Sequence, residues 1–119
     1  MCRMTTVLVV DDHDKFRAAA RGLVESVGWR VVGEAATGED ALAAVAALRP
    51  EVVLLDVVLP GLSGFEVAAL LAARRPAPRV ILVSGRSRTD YRRQLSALPA
   101  VAFLSKRELT ASALTELVV

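Results

Sequence analysis

Apolar residues fall along the chain in two alternating patterns. Short, nearly unbroken runs, "TVLVV" (6–10), "RVVGEA" (30–35), "EVVLL" (51–55), "VILV" (80–83) and "VAFL" (101–104), are the strand candidates β1 to β5. Longer segments of helical period separate them. Phe16, Ala20, Leu23, Val24 and Val27 form one stripe at i, i+4, i+7, i+8 and i+11 that Gly28 can terminate, which predicts helix α1. Thr37 stands three residues before Asp40, the spacing of a capping box, ahead of "ALAAVAAL" (41–48) with Pro50 beyond, and predicts α2. "GFEVAALLAARRP" (64–76) predicts α3 closed by Pro76, and "ELTASALTEL" (108–117) predicts α5 with Leu109, Ala113, Leu114 and Leu117 on one face. The segment 87–98 has only Tyr91, Leu95 and Leu98 as apolar anchors, so α4 is expected to be short and mobile.

Five consecutive strand–helix units with solidly apolar strands predict a parallel sheet covered on both faces. Right-handed crossovers then select a three-layer α/β/α, doubly wound (flavodoxin-like) fold with strand order 2-1-3-4-5. A closed eightfold barrel needs about twice this length. The 119 residues make one domain, long enough to bury roughly two-thirds of its unfolded surface.

Composition narrows the setting. With 54% hydrophobic residues, five prolines, seven glycines and no biased tract, the chain is globular rather than disordered. Its single cysteine, Cys2, has no internal disulfide partner and no metal-ligand neighbours at motif spacing, which points to the cytosol. No apolar run reaches the ~18 residues of a membrane span. Arg3 followed by "MTTVLVV" faintly imitates a secretion signal, but Asp11 and Asp12 interrupt it and no cleavage site follows. The net charge of +2 is too small to imply nucleic acid. Seven arginines (74, 75, 79, 86, 88, 92, 93) nevertheless face one acid, Asp90, between 74 and 93. They read first as a solvated surface and second as a docking face; base stacking is disfavoured because Tyr91 is the only aromatic among them.

The chemistry collects at the strand ends. In a doubly wound sheet, ligands bind beyond the carboxyl ends of the strands, where the winding reverses. β1 ends in Asp11 and Asp12, β3 in Asp56, β4 in Ser84, and β5 runs through "VAFLSK" to Lys106. Taken singly, each has a bland reading: Asp12 or Asp14 as a helix cap, Ser84 as a turn serine, Lys106 as a surface lysine, His13 as an exposed first-turn residue. Together they do not. Three carboxylates in one crevice repel by about 4 kcal/mol per pair at ~4 Å and an effective dielectric of 20. Lys106 offsets part of this, and Mg²⁺, which takes carboxylate oxygens and keeps several waters, suits the remainder. A carboxylate nucleophile, a divalent cation, a lysine and a hydroxyl together serve phosphoryl transfer. Asp56 is the nucleophile candidate, held by "EVVLL" and followed by a "VVLPGLSG" loop expected to be flexible. Asp11 and Asp12 would hold the metal; Lys106 and Ser84 would bind the phosphoryl oxygens.

"VLVVDDHDKFR", "VVLLDVVLPGLSG", "VILVSG" and "AFLSK" resemble, in order and spacing, the receiver domains of two-component response regulators, over essentially the whole chain. The resemblance implies that Asp56 accepts a phosphoryl group from a sensor histidine kinase or phosphotransfer protein. It implies that Asp11, Asp12, Asp56 and the backbone carbonyl of Val58 surround Mg²⁺, with Mn²⁺ as a substitute, Asp12 more directly and Asp11 partly through water. Ser84 and Phe103 match the family's switch pair, which alters the α4-β5-α5 face for homodimer or output contacts. The chain is most similar to receivers that precede a helix-turn-helix DNA-binding domain in LuxR/NarL-type transcription factors. That output domain is absent from these residues, and the chain reads as either an excised fragment or a single-domain regulator, cytoplasmic, without membrane contact.

Three positions depart from the family pattern. Lys106 is followed by Arg107 where many members have proline, so a cis bond there would cost ~2.5–4 kcal/mol instead of ~1, and the sequence leaves its isomer open. Phe103 stands where tyrosine is frequent, and Ser84 where threonine is. Two other classes compete with the switch: an adaptor that works without phosphorylation, and a Mg²⁺-dependent phosphatase. The first would be favoured by loss of Asp11, Asp12, Asp56 or Lys106, all of which are present. The second wants an acid two residues past the nucleophile, where Val58 stands, so a turnover enzyme is not expected. No G-x-G-x-x-G or P-loop motif supports a nucleotide-binding reading.

Overall fold

β1 (Thr6–Val10) is apolar on both faces because both are covered: Leu8 and Val10 belong to one core, Val7 and Val9 to another, and all four are buried. The computed structural model describes residues 4–98 and 101–118; Cys2 and Arg3 lie outside them. β2 (Arg30–Ala35), β3 (Val52–Asp56), β4 (Arg79–Ser84) and β5 (Ala102–Ser105) join β1 in one parallel sheet of order β2-β1-β3-β4-β5. Side chains alternate between faces along each strand. Val53, Leu55, Val80, Leu82 and Phe103 meet Ala41 and Val45 of α2 (Gly38–Leu48), Val67, Ala68 and Leu71 of α3 (Gly64–Ala72), and Tyr91. Val52, Leu54, Ile81 and Val83 meet Ala20 and Val24 of α1 (Asp14–Ser26) and Leu114 of α5 (Ala111–Val118). This is the three-layer, doubly wound architecture expected. Each fully buried Val or Leu favours folding by roughly 1.5–3 kcal/mol, so the sheet is a firm platform for its carboxyl edge.

Helix ends follow from local chemistry. α1 stops where Gly28, at φ 85°, donates to the Glu25 carbonyl (3.0 Å) while Trp29 N–H reaches that of Val24 (3.3 Å). A residue without Cβ takes this left-handed backbone freely. At α2 only half of the anticipated box forms: Thr37 Oγ1 accepts the Asp40 amide at 3.1 Å. The reciprocal box is at α3, where Ser63 Oγ accepts Glu66 N–H and Glu66 Oε1 accepts Ser63 N–H.

Three expected elements differ. α3 ends at Ala72, well before Pro76, and the Arg75 guanidinium takes the Ala72 and Arg74 carbonyls left beyond it. Segment 87–98 is not one helix but a 3₁₀ turn (Arg88–Tyr91) followed by the five-residue α4 (Arg92–Ser96), because Tyr91 is its one buried side chain. α5 begins at Ala111 rather than 108, since Glu108 turns back to accept the Ser105 amide and closes a separate 3₁₀ turn (Lys106–Glu108). Thr110 Oγ1 then caps α5 through Ala113 N–H, with Leu109 and Leu114 in the same core, the arrangement of a hydrophobic staple. Among the described residues the one cis bond is Arg75–Pro76, so Lys106–Arg107 is trans. No helix among these residues is long and apolar enough to cross a membrane.

Candidate functional site

Parallel register brings the strand ends together. Val10 pairs with Leu55, Asp56 with Val83, and Ser84 with Ser105, so Asp11, Asp56, Ser84 and Lys106 emerge at one edge of the sheet. Asp11 is wholly buried, and both its oxygens are used. Oδ1 accepts His13 N–H at 2.8 Å and lies 3.0 Å from His13 Nδ1; Oδ2 accepts Lys106 Nζ at 3.1 Å. Asp12, one-third exposed, has Oδ1 3.1 Å from the same His13 nitrogen. Asp12 caps nothing: the N-cap of α1 is His13, and Asp14 is the first-turn acid, paired with Arg17.

Asp56 is buried at the end of β3. Burial, followed by the neighbouring Asp11 carboxylate, pushes its pKa up to about 6, while Lys106 and the Val58 amide act in the opposite direction. The cluster is therefore short of positive charge. Carboxylate oxygens of Asp11, Asp12 and Asp56 and a ring nitrogen of His13 lie within 4.8 Å of one another. A hard divalent cation that prefers oxygen donors fits that set. His13, expected to be a bystander, is part of it.

The match of this chain to the family model of the response regulator receiver domain runs over residues 7–118. The chain is a response regulator receiver domain. It is 38% identical over 104 residues to "Response regulator GacA" of Pseudomonas aeruginosa, covering 87% of this chain and 49% of that protein. It thus spans about half the length of the curated relatives it matches. Its structure resembles the signal receiver domain of the response regulator NarL from Mycobacterium tuberculosis, with a TM-score of 0.83, 34% identity and 98% of each chain covered. A DNA-binding response regulator of the LuxR family from Staphylococcus aureus gives a TM-score of 0.85 at 25% identity, over 97% of this chain and 96% of that one.

Beyond the acids, the receiver's two remaining candidates are linked through a residue that sequence reasoning left as a helix anchor. Ser84 is buried, accepts the Arg86 amide at 3.1 Å, and shares a 3.0 Å hydrogen bond with the Tyr91 hydroxyl. The Tyr91 ring meets Phe103 edge-on at 5.9 Å and Phe65 at 5.2 Å. Phe103 is already buried, under the Arg88 guanidinium, which also donates to the Phe103 carbonyl.

Other supports were also unmarked. Arg17 Nη1 donates to the Asp11 carbonyl at 2.6 Å and its Nε to Glu34 at 3.0 Å, fixing α1 against the ends of β1 and β2. Arg21, with Arg17, holds the Glu34 carboxyl below its ordinary range. Lys106 Nζ lies 4.2 Å from the centre of the Phe16 ring, which limits where the ammonium can swing. Phe16 and Arg17 sit inside "DDHDKFR", so the motif carried a signal that single-residue reasoning did not resolve. The loop after Asp56 is also less free than expected, because Gly64 N–H donates to the Val57 carbonyl (2.8 Å) and Leu62 N–H to Glu39 (3.2 Å). A cavity of about 620 Å³ opens at the other edge of the sheet, near Thr5, Arg49 and Pro78, away from the site.

Proposed function

We propose that this receiver takes a phosphoryl group onto Asp56 from a phosphohistidine of a sensor kinase or phosphotransfer protein, and that the α4-β5-α5 face reports the change. The observation that carries this reading is the convergence of Asp11, Asp12 and Asp56 within 4.8 Å, with Lys106 Nζ 3.1 Å from Asp11. Asp56 oxygen forms the new P–O bond as the donor's P–N bond breaks, and the electron pair of that bond stays on the imidazole nitrogen. Lys106 and the Ser84 hydroxyl then bind phosphoryl oxygens, the first as a cation and the second as a donor. Mg²⁺, or Mn²⁺ in its place, held by Asp11, Asp12, Asp56 and the Val58 carbonyl, would neutralise charge on the phosphoryl oxygens. Asp11, with both oxygens engaged inside the protein, suits a water-mediated role; the more exposed Asp12 suits direct ligation.

Val58, exposed and apolar beside Asp56, offers no acid for a leaving group, so the reading includes no turnover beyond the domain's own phosphorylation and dephosphorylation. Residues 1–119 act as one cytoplasmic receiver domain, and any contact with DNA would belong to an output domain outside these residues. Homodimer contact through the arginine-bearing α4 region would change sedimentation on phosphorylation; an unchanged profile removes that part. The central test incubates the protein with a small acyl phosphate and Mg²⁺ and reads intact mass. One phosphoryl group is expected, lost with chelator and with Asp56→Asn. A gain that survives Asp56→Asn overturns the assignment, and no gain under any condition favours an adaptor.

A further inference from the structure

Gly85 to Leu98 is attached to the body of the domain chiefly through one side chain. Every residue from Gly85 to Asp90 is exposed, Tyr91 is buried, and from Arg92 onward only Leu95 and Leu98 are partly covered. The Tyr91 hydroxyl meets Ser84 Oγ at 3.0 Å, and its ring packs edge-on between Phe65 and Phe103. Ser84 has one O–H, and its oxygen already accepts the Arg86 amide. Either oxygen can be the donor in the Tyr91 contact; where Ser84 donates, its one hydroxyl must leave Tyr91 to reach a phosphoryl oxygen on Asp56, and where Tyr91 donates, a change of the Ser84 rotamer moves the acceptor away from the phenol. Tyr91 must then either follow, carrying the 3₁₀ turn with it, or give up the bond. Phe103 has no hydroxyl of its own and is already buried, so Ser84 reaches the Phe103 ring through Tyr91.

We propose that Tyr91 is the positioning residue that couples the rotamer of Ser84 to the segment 85–98, through the Tyr91 hydroxyl on Ser84 Oγ. The inference rests on Asp56 as phosphoacceptor. In the unphosphorylated domain the bond holds the turn and α4 down; when Ser84 turns to the phosphoryl group, the phenol is released and the segment loosens. The Arg88 guanidinium, bonded to the Phe103 carbonyl at 3.2 Å, keeps the start of the turn tied to β5 and leaves α4 as the part that moves.

The test uses the full chain and the Tyr91→Phe variant, which keeps the ring contacts and removes only the hydroxyl. Both are treated with a small acyl phosphate and Mg²⁺, and intact mass and amide hydrogen exchange are read on the same samples. Wild type is expected to gain one phosphoryl group and to exchange faster over 91–98. Unphosphorylated Tyr91→Phe should already exchange between about twofold and tenfold faster there, with little further change on phosphorylation. Since Tyr91 is the only tyrosine, fluorotyrosine labelling gives one fluorine NMR resonance. It should move on phosphorylation and take a new position in Ser84→Ala without phosphate. Normal phosphorylation of both proteins with equal exchange, or a resonance that ignores both phosphorylation and Ser84→Ala, overturns the coupling and leaves Asp56 standing. No mass gain in wild type overturns the phosphoacceptor reading and the coupling with it.

Discussion

Gly64, the first residue of α3, lies so close to Asp56 that a Cβ there would stand 2.3 Å from the Asp56 carbonyl oxygen and 2.7 Å from Val57 Cα. The obstacle is backbone, which cannot swing aside. Gly64 N–H also donates to the Val57 carbonyl, so the start of α3 and the end of β3 are locked as one unit. Gly64→Ala must push that unit apart, and it is expected to lower unfolding free energy by about 1–3 kcal/mol. Asp56 would shift with it. Urea midpoints check the stability, and labelling by acyl phosphate should slow in the same variant. A variant with wild-type midpoint and wild-type labelling would show that the close approach is not needed.

The raised pKa of Asp56 has a sign that can be measured. The folded domain keeps this carboxyl protonated up to about pH 6, whereas the ordinary value is 3.8. Between those values the native state holds the extra proton, so this group's contribution to stability falls as pH rises through the window and stays low above it. The scale is on the order of 3 kcal/mol. Asp56→Asn removes the ionisation and is expected to melt higher than wild type at neutral pH, in chelator, with the difference vanishing near pH ~4. Parallel melting profiles across that range would remove Asp56 as the source of the effect.

Lys106 is held from two sides, by Asp11 and by the face of Phe16. Phe16→Leu keeps an apolar side chain on α1 but withdraws the ring, a cation–π contact of ~0.5–1 kcal/mol at a partly exposed site. Labelling by acyl phosphate should slow about two- to fivefold, with stability changed by less than ~1.5 kcal/mol. Phe16→Tyr, which restores the ring face, should recover the rate. If leucine serves as well as either aromatic, the ring does not position the lysine.

The sheet was legible because its strands announce double burial: "VLVV" and "VVLL" offer no polar face, and only a parallel sheet between helices accepts that. The acids at its edge were legible because they stop such runs abruptly. Less could be read where a residue's role depends on a partner far along the chain. Tyr91 looked like one anchor of a weak helix, since nothing local says that its hydroxyl meets Ser84. His13 lacked a second ligand at motif spacing, because its neighbours in the cluster are an adjacent acid pair and Asp56 on another strand. Helix starts at 108 and 87 were misplaced for a different reason. Glu108 and Asp90 each turn back to a serine and close 3₁₀ turns that hydrophobic period does not reveal.

The lifetime of a phosphoryl group on Asp56 depends on two neighbours, Val58 and Gly85. Val58 is two-thirds exposed beside Asp56, with its N–H on the Asp56 carboxylate and only methyl groups to present to solvent. Gly85 works the other way: a side chain there would meet nothing within 4 Å, so the approach to the site from β4 is open. Water can therefore arrive, but Val58 has no polar atom to hold it in line with the acyl phosphate. Positioning, rather than access, should then limit hydrolysis. The wild-type phosphoprotein is expected to persist for minutes or longer at neutral pH, and Val58→Asn, which supplies an amide at that place, should shorten its lifetime about tenfold. Decay of radiolabelled protein measures both. If the wild type decays within seconds and asparagine does not accelerate it, the open side at Gly85 governs the lifetime instead.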